Sequence, residues 1–282
     1  MWKQLRSSGT GLLGISILVI VLFCALAADW ISPYDPLKQD LANSLQPPFW
    51  AEGGSAQYLL GTDQLGRDIL SRILHGSRIS LLISVAGTVV AIVTGLLLGS
   101  VSGYFGGRID VVIMRLADIT MAFPFVLLAI FIVAILGPGI LNLILVAGVS
   151  AGVRLTRTVR GEILFVKDQE YIEAIRSVGA KHSRIIAKHI LPNIGSALIV
   201  IATLEMAQLI LVESALSFLG LGVPAEVPTW GKMLSESRIL ILSEPWVSIF
   251  PGVAITITVL GINLLGDWLR DYLDPKLGKR TN

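Results

Sequence analysis

The sequence has 282 residues, of which 54% are hydrophobic and only 15% are charged, and its mean hydropathy is +0.76. Soluble domains carry about 25% charged residues, so this composition excludes an ordinary soluble protein and favours a chain that uses lipid as its solvent. The formal net charge of +2 says little, because the basic residues are concentrated in a few polar segments.

Six apolar runs are long enough to cross a bilayer as helices. The charge-free stretch 119–153 is too long for one span, and Gly137-Pro138-Gly139 within it favours a tight turn between two helices. The sequence therefore predicts an all-α membrane protein with about six spans: Thr10–Ala28, Ile79–Val101, Val111–Leu136, Ile140–Leu155, Ile194–Leu216 and Val247–Leu265.

The first run has two interpretations. Lys3 and Arg6 precede it and Ala25-Leu26-Ala27 resembles a cleavage site, as in a signal peptide, but the run exceeds the roughly 7–15 residues of a signal core. A retained membrane anchor is therefore expected. Cys24, the single cysteine, lies inside this run, so neither a disulfide framework nor a cysteine-based metal site is expected.

The largest polar segment, residues 29–77, begins as a proline-rich, turn-rich chain and changes character after Gly61. In Gln64–His75 apolar residues recur at helical spacing, which predicts a separate amphipathic helix on the outer surface. Two roles stay open for it: sealing the top of a helical bundle, or contacting another protein.

Small and kinking residues mark two of the predicted spans. Gly95 and Gly99 are four residues apart, a spacing that lets helices approach closely. Pro124 and Pro251 could kink the third and sixth spans.

A long basic segment, 154–192, separates the fourth and fifth spans. It reads as two short helices, with Gly179 available for a left-handed break and Pro192 marking a stop. An apolar stripe in each helix is expected to be available for docking a partner. These stripes are Ile172, Ile175 and Val178 in the first helix, and Ile185, Ile186 and Ile190 in the second.

Two acidic residues lie within the fifth span, where an ionisable group is costly and usually faces protein or water. Glu205 falls near the middle, and it either lines a pathway through the membrane or bonds to a neighbouring helix or subunit. Glu213 is near the outer end, where we expect it to be solvated.

The distribution of basic residues predicts the orientation. With the N-terminus inside, 16 of the 22 basic residues belong to inner segments, so both termini and the 168–192 hairpin are expected in the cytoplasm. Six basic residues are left outside: Lys38, Arg67, Arg72, Arg78, Lys232 and Arg238.

The basic segment also resembles a known family. Bacterial ABC-importer permeases carry a loop that runs Glu-Ala-Ala, three residues, Gly, nine residues, then Ile-x-Leu-Pro. Five residues of this chain fall on that pattern without gaps, whereas Ile175 replaces the third alanine and His189 stands at the first isoleucine. The five matching residues are Glu173, Ala174, Gly179, Leu191 and Pro192.

Other segments resemble the dipeptide, oligopeptide and nickel branch of that family. They are 61–68, 189–193, 213–222 and 228–231, which occur in the expected order. The resemblance implies the fold of an ABC type I importer permease and the import of dipeptides, oligopeptides or a related small solute, with a nickel or metal-chelate importer as the alternative.

The resemblance further implies a machine of five chains in the bacterial inner membrane, with lipid around it. The partners would be a second, homologous permease, two cytoplasmic ATPase subunits and an extracytoplasmic solute-binding protein. Residues 1–78 would form an anchor and outer loop, and residues 79–282 the transport core. In the hairpin, Glu173, Ala174 and Gly179 would dock the ATPase.

Other functional classes lack their signatures in the sequence. No convergent acid, base or metal groups indicate an enzyme, a cofactor or a metal site, and no phosphate-binding loop follows the Gly-x-x-x-x-Gly-Lys pattern. The basic residues follow the membrane topology and are not interleaved with stacking aromatics, so nucleic-acid binding is not expected. An ATPase-independent secondary transporter would usually show internal repeats, and none is evident.

Overall fold

The computed structural model describes residues 5, 8–224 and 226–273, and every regular element in these ranges is helical. We number the helices in chain order, with short 3₁₀ turns at Leu41–Asn43 and Arg238–Leu240. They are α1 (Gly9–Ile31), α2 (Ile69–Phe105), α3 (Gly107–Ala122), α4 (Phe125–Leu136), α5 (Ile140–Lys167), α6 (Glu170–Ser177), α7 (His182–Ile185), α8 (Leu191–Phe218), α9 (Trp230–Ser237) and α10 (Trp246–Leu273).

Five continuous helical segments in the described ranges are long and apolar enough to cross a membrane, and α3 with α4 forms a sixth candidate span. The prediction of an all-α membrane protein with about six spans is confirmed. The third span is not one straight helix, however, because α3 and α4 meet at 90°. Phe123 and Pro124 have extended backbone there, and proline disfavours a helical conformation in the residue before it.

The centre of the bundle is the crossing of α2 and α5, which form its most extensive helix pair. Gly95 and Gly99 face Leu155 and Val159 so closely that a Cβ atom on either glycine would lie 2.8 Å from those side chains. Gly148 of α5 is packed in the same way against Val90 of α2. The sequence prediction of close approach at Gly95 and Gly99 is therefore confirmed.

The prediction of a separate outer helix at Gln64–His75 is wrong. Asp68 caps α2 through a 2.8 Å hydrogen bond from the backbone N–H of Ser71, and the helix then runs unbroken from Ile69 into the membrane span. The turn before it uses Gly66 at φ +70°, a conformation that glycine adopts without strain.

The basic residues at the start of α2 are buried in an ion cluster rather than facing solvent. The Nε of Arg67 donates to the Asp63 carboxylate at 2.7 Å, and the NH2 groups of Arg67 and Arg72 donate to Glu236 of α9 at 2.7 and 2.8 Å. Arg72 also pairs with Asp63. Trp230 adds a hydrogen bond of 3.1 Å from its indole N–H to the carbonyl of Ile73. The polar segment thus seals one end of the bundle, which we call the loop end.

Candidate functional site

The segment between α5 and α8 forms a helical hairpin at the end of the bundle opposite the loop end. Helix α5 continues beyond the predicted limit at Leu155 to Lys167, α6 and α7 follow as two short helices, and a π-helical turn, Ile186–Ile190, connects α7 to α8. The prediction of two short helices in this segment is confirmed. We call residues 168–192 the hairpin.

Gly179 ends α6 in the left-handed conformation that the sequence predicted, with φ +81°. The N–H of Ala180 donates to the carbonyl of Ile175 at 3.4 Å, and the N–H of Gly179 donates to that of Arg176 at 3.0 Å. These two bonds are the Schellman arrangement, in which a glycine satisfies the last carbonyls of a helix. A Cβ atom at Gly179 would meet no atom within 4 Å, so backbone conformation alone favours glycine here.

The expectation about Pro192 is wrong, because the chain stays helical through it. Pro192 is the second residue of α8, and α8 directly follows the π-helical turn. A proline inside a helix removes one backbone hydrogen bond and its ring crowds the carbonyl four residues earlier, and a π-turn at that carbonyl accommodates both effects.

The apolar stripes of the hairpin mostly face the chain's own core, which corrects the expectation that they are free for docking. Ile172, Ile185 and Ile190 have no exposed surface and pack in one cluster with Val159 and Ile163 of α5. Ile175 and Ile186 are partly buried against that cluster. Within the two stripes, Val178 alone is largely exposed, at 84%.

The exposed edge of the hairpin instead carries four of the five motif residues, beside exposed basic side chains such as Arg176. Glu173, Ala174, Val178 and Gly179 are exposed, as is Pro192, whereas Leu191 is half-buried and packs on the cluster. The buried isoleucines fix this edge to α5 and α8, so force applied to it is transmitted to two membrane helices.

Tyr104, at the end of α2, is a hairpin contact that the sequence analysis missed. Its hydroxyl lies 2.7 Å from the Nδ1 atom of His182, and the charged ends of Lys167 and Arg176 lie 5.8 and 6.0 Å from its ring centroid. A lone tyrosine at the end of an apolar run carries no signal of such contacts.

Glu205 lies halfway along α8, and its carboxylate accepts a 3.4 Å hydrogen bond from the NH2 group of Arg154, halfway along α5. Glu213 is fully buried, not solvated as expected. Its carboxylate accepts hydrogen bonds from the hydroxyls of Ser217 at 2.8 Å and Ser80 at 3.4 Å. The bond from Ser80 joins α8 to α2, whereas the bond from Ser217 lies within α8.

Two clefts of about 260 and 250 Å³ meet at Arg154. Phe125 of α4 also lines both of them. The first is lined further by α3, α4 and Ser150, and the second by Ala147, Glu205, Gln208, Leu209 and Val212. Arg154 and Glu205 can thus be reached through these clefts from the surface of the chain.

Histidines, acids and the cysteine do not converge in the described ranges into a group of three that could hold a metal ion. His75 lies 3.2 Å from the carboxylate of Asp29, and His182 contacts Tyr104 near the hairpin.

Comparisons with known proteins give the family context. The family described as "binding-protein-dependent transport system inner membrane component" matches residues 91–279. The family described as "N-terminal TM domain of oligopeptide transport permease C" matches residues 1–48.

Similar proteins extend over nearly the whole chain. The di/tripeptide transport system permease protein DppC of Pseudomonas aeruginosa is 44% identical over 98% of this chain and 91% of its own length. The oligopeptide transport system permease protein OppC of Bacillus subtilis is 40% identical over 99% and 91%. The glutathione transport system permease protein GsiD of Pectobacterium atrosepticum is 41% identical over 98% and 90%.

Among solved structures, a chain of the inward-facing MetNI methionine ABC transporter is similar, with a TM-score of 0.60. The match covers 72% of this chain and 96% of that chain at 20% sequence identity. It supports the fold of an ABC type I importer permease.

Proposed function

The chain belongs to the inner membrane components of binding-protein-dependent transport systems, and we propose that it imports peptides together with a second, homologous permease. Membership makes it a multi-pass permease of the bacterial inner membrane that works with a solute-binding protein and with a separate ATPase. The permease is not itself an enzyme.

Peptides are the proposed cargo because the similar permeases are named for dipeptide, oligopeptide or glutathione transport. These names do not favour the nickel or metal-chelate alternative. Residues 79–282 would form the transport core and residues 1–78 the anchor and the layer at the loop end. The complete machine would contain two permeases, two ATPase subunits and one binding protein.

The hairpin is the proposed coupling element, with Glu173, Ala174, Gly179, Leu191 and Pro192 as its docking residues. The observation that carries this proposal is the combination of an exposed edge at Glu173 and Gly179 with a rigid buried base at Ile172 and Ile185. When ATP draws two ATPase subunits together, each would carry a docked hairpin with it. The base would then move α5 and α8 between two arrangements that the ATPase contacts differently, which is what coupling requires.

The proposed orientation places the hairpin and both termini in the cytoplasm, following the distribution of basic residues. The hairpin then faces the compartment that contains ATP. Five of the basic residues behind this argument lie outside the described residues: Lys3, Arg6, Lys276, Lys279 and Arg280.

A cross-linking experiment tests the coupling role. A single cysteine at Val178, 84% exposed on the hairpin edge, should cross-link to the ATPase in membranes that contain the whole complex. A cysteine at Ile239, 79% exposed at the loop end, is the matched control and should not. Cross-linking of the ATPase at Ile239 with none at Val178 would overturn the proposed docking site and orientation together.

A further inference from the structure

Arg154 has hydrogen-bonding capacity that the chain leaves largely unused. Within the described residues its guanidinium makes one side-chain hydrogen bond, the 3.4 Å contact to Glu205. Arg160, six residues later on α5, instead donates two hydrogen bonds to the Asp110 carboxylate, from Nε and from NH2, both at 2.6 Å. The Arg160 pair is a typical structural bridge, whereas the Arg154 pair leaves most of the donor fork free.

The unused donors of Arg154 are unusual because the Arg154–Glu205 pair lies deep in the membrane span. Leu191–Leu204 and Met206–Val212 of α8 contain no charged residue, so Glu205 and its partner lie far from either end of the span. A charged group at such depth is costly unless it faces protein or a water-filled cavity. Arg154 has 40% of its side-chain surface exposed and Glu205 has 17%, so a cavity is the environment that fits both.

The two clefts supply that cavity. Arg154 lines both, Glu205 lines the second, and their walls combine apolar Leu128 and Val212 with polar Ser150 and Gln208. An apolar wall with a few polar groups at fixed positions is typical of small-molecule sites. Here the fixed groups include one cation and one anion side by side.

We propose that this pair receives the charged ends of the transported peptide. The fork of Arg154 binds the carboxylate, for which guanidinium geometry is suited, and Glu205 binds the ammonium group. In the absence of solute the two side chains neutralise each other. When the zwitterionic solute binds, the Arg154–Glu205 contact is replaced by one contact from Arg154 to the carboxylate and one from Glu205 to the ammonium group. This inference rests on the proposed function, since it concerns the cargo of the same permease.

The test uses the complete complex in proteoliposomes and three solutes: dialanine, dialanine amide and N-acetyl-dialanine. The affinity of each solute for the binding protein is measured separately, and uptake is compared at equal loading of the binding protein. This removes the preference of the binding protein from the comparison. The wild-type complex should still favour the free dipeptide over both modified forms.

Each substitution should remove one preference and spare the other. Arg154→Gln should lower uptake of the free dipeptide about tenfold or more, the effect of losing a charge-assisted hydrogen bond, and should abolish the preference for acid over amide. Glu205→Gln should instead abolish the preference for a free over an acetylated amine. The control is Arg157→Gln, on the same helix as Arg154. It breaks an exposed pair with Asp118 of α3 and should change neither ratio.

Unchanged ratios, or equal loss of all three solutes in both variants, would overturn the inference while leaving peptide import intact. If Arg154→Gln does not reach the membrane, Arg154→Lys carries the test. Lysine keeps the charge but loses the fork, so the acid-over-amide ratio should fall to an intermediate value, and a wild-type ratio would refute the inference. Failure of the wild-type complex to import any peptide, including glutathione and longer oligopeptides, would refute the proposed function itself.

Discussion

Replacing Gly179 by valine places a β-branched side chain on a backbone with φ +81°. A residue with a Cβ atom costs roughly 1–2 kcal/mol in the left-handed region. No atom lies within 4 Å of the new Cβ position, so no steric clash adds to this cost. A penalty of that size shifts the equilibrium between the native turn and any other backbone conformation by a factor of about 5–30. Where another conformation lies within about 1–2 kcal/mol of the native turn, most hairpins would adopt it.

The buried base should keep the rest of the hairpin folded, because Ile172 and Ile185 are anchored on either side of the turn. Gly179→Val should therefore reach the membrane normally, yet retain less ATPase on the purified permease pair. Hydrolysis should no longer be stimulated by the loaded binding protein. The measurement is the ATPase-to-permease ratio after purification, together with stimulated hydrolysis in proteoliposomes.

Two controls separate backbone strain from side-chain bulk. Gly179→Asn should be close to wild type, since asparagine tolerates the left-handed conformation better than other residues with a Cβ atom. Gly161→Ala, at another glycine with open space around its Cβ position but inside α5, should also be silent. Full ATPase retention with normal stimulation in Gly179→Val would show that the turn geometry is irrelevant to coupling.

Three further predictions follow from the same structure. Glu173→Ala should weaken ATPase retention less than Gly179→Val, because it removes an exposed side chain and leaves the turn intact; a larger loss would contradict this order. Asp63→Asn should lower the free energy of unfolding by about 2 kcal/mol, since buried Arg67 and Arg72 lose one of the two carboxylates that bind them and keep only their bonds to Glu236. Asp35→Asn is its exposed control, and equal melting temperatures in detergent would refute the argument. After Cys24→Ser, a single cysteine at Lys181 should resist an impermeant reagent in intact cells and one at Lys38 should react, and the reverse pattern would refute the orientation.

The sequence predicted those parts of the fold that depend on local composition. Apolar runs located the spans, and Gly179 marked the left-handed turn because few other residues adopt that conformation at low cost. The burial of the polar residues before and within the start of α2 was missed because it depends on a contact between Arg67 and Glu236, which are 169 positions apart. The 90° bend between α3 and α4 was missed as well, since a proline indicates a kink but not its angle.

The sequence likewise predicted only part of the candidate site. The motif residues of the hairpin could be recognised from their spacing. The two stripes that contain Ile172 and Ile185 were assigned to docking, but these isoleucines form the buried base. Hydrophobic periodicity identifies an apolar face without saying what covers it. Arg154 was counted as one of many inner cations, and its partner Glu205 is 51 positions away, so their pairing required the fold.

ATP-driven peptide import is tested most directly by the accumulation of a labelled dipeptide in proteoliposomes that contain the purified complex. Uptake should require the binding protein and ATP together, and should stop when this chain is left out. Accumulation driven by an ion gradient without ATPase subunits would contradict the account and identify a secondary transporter instead.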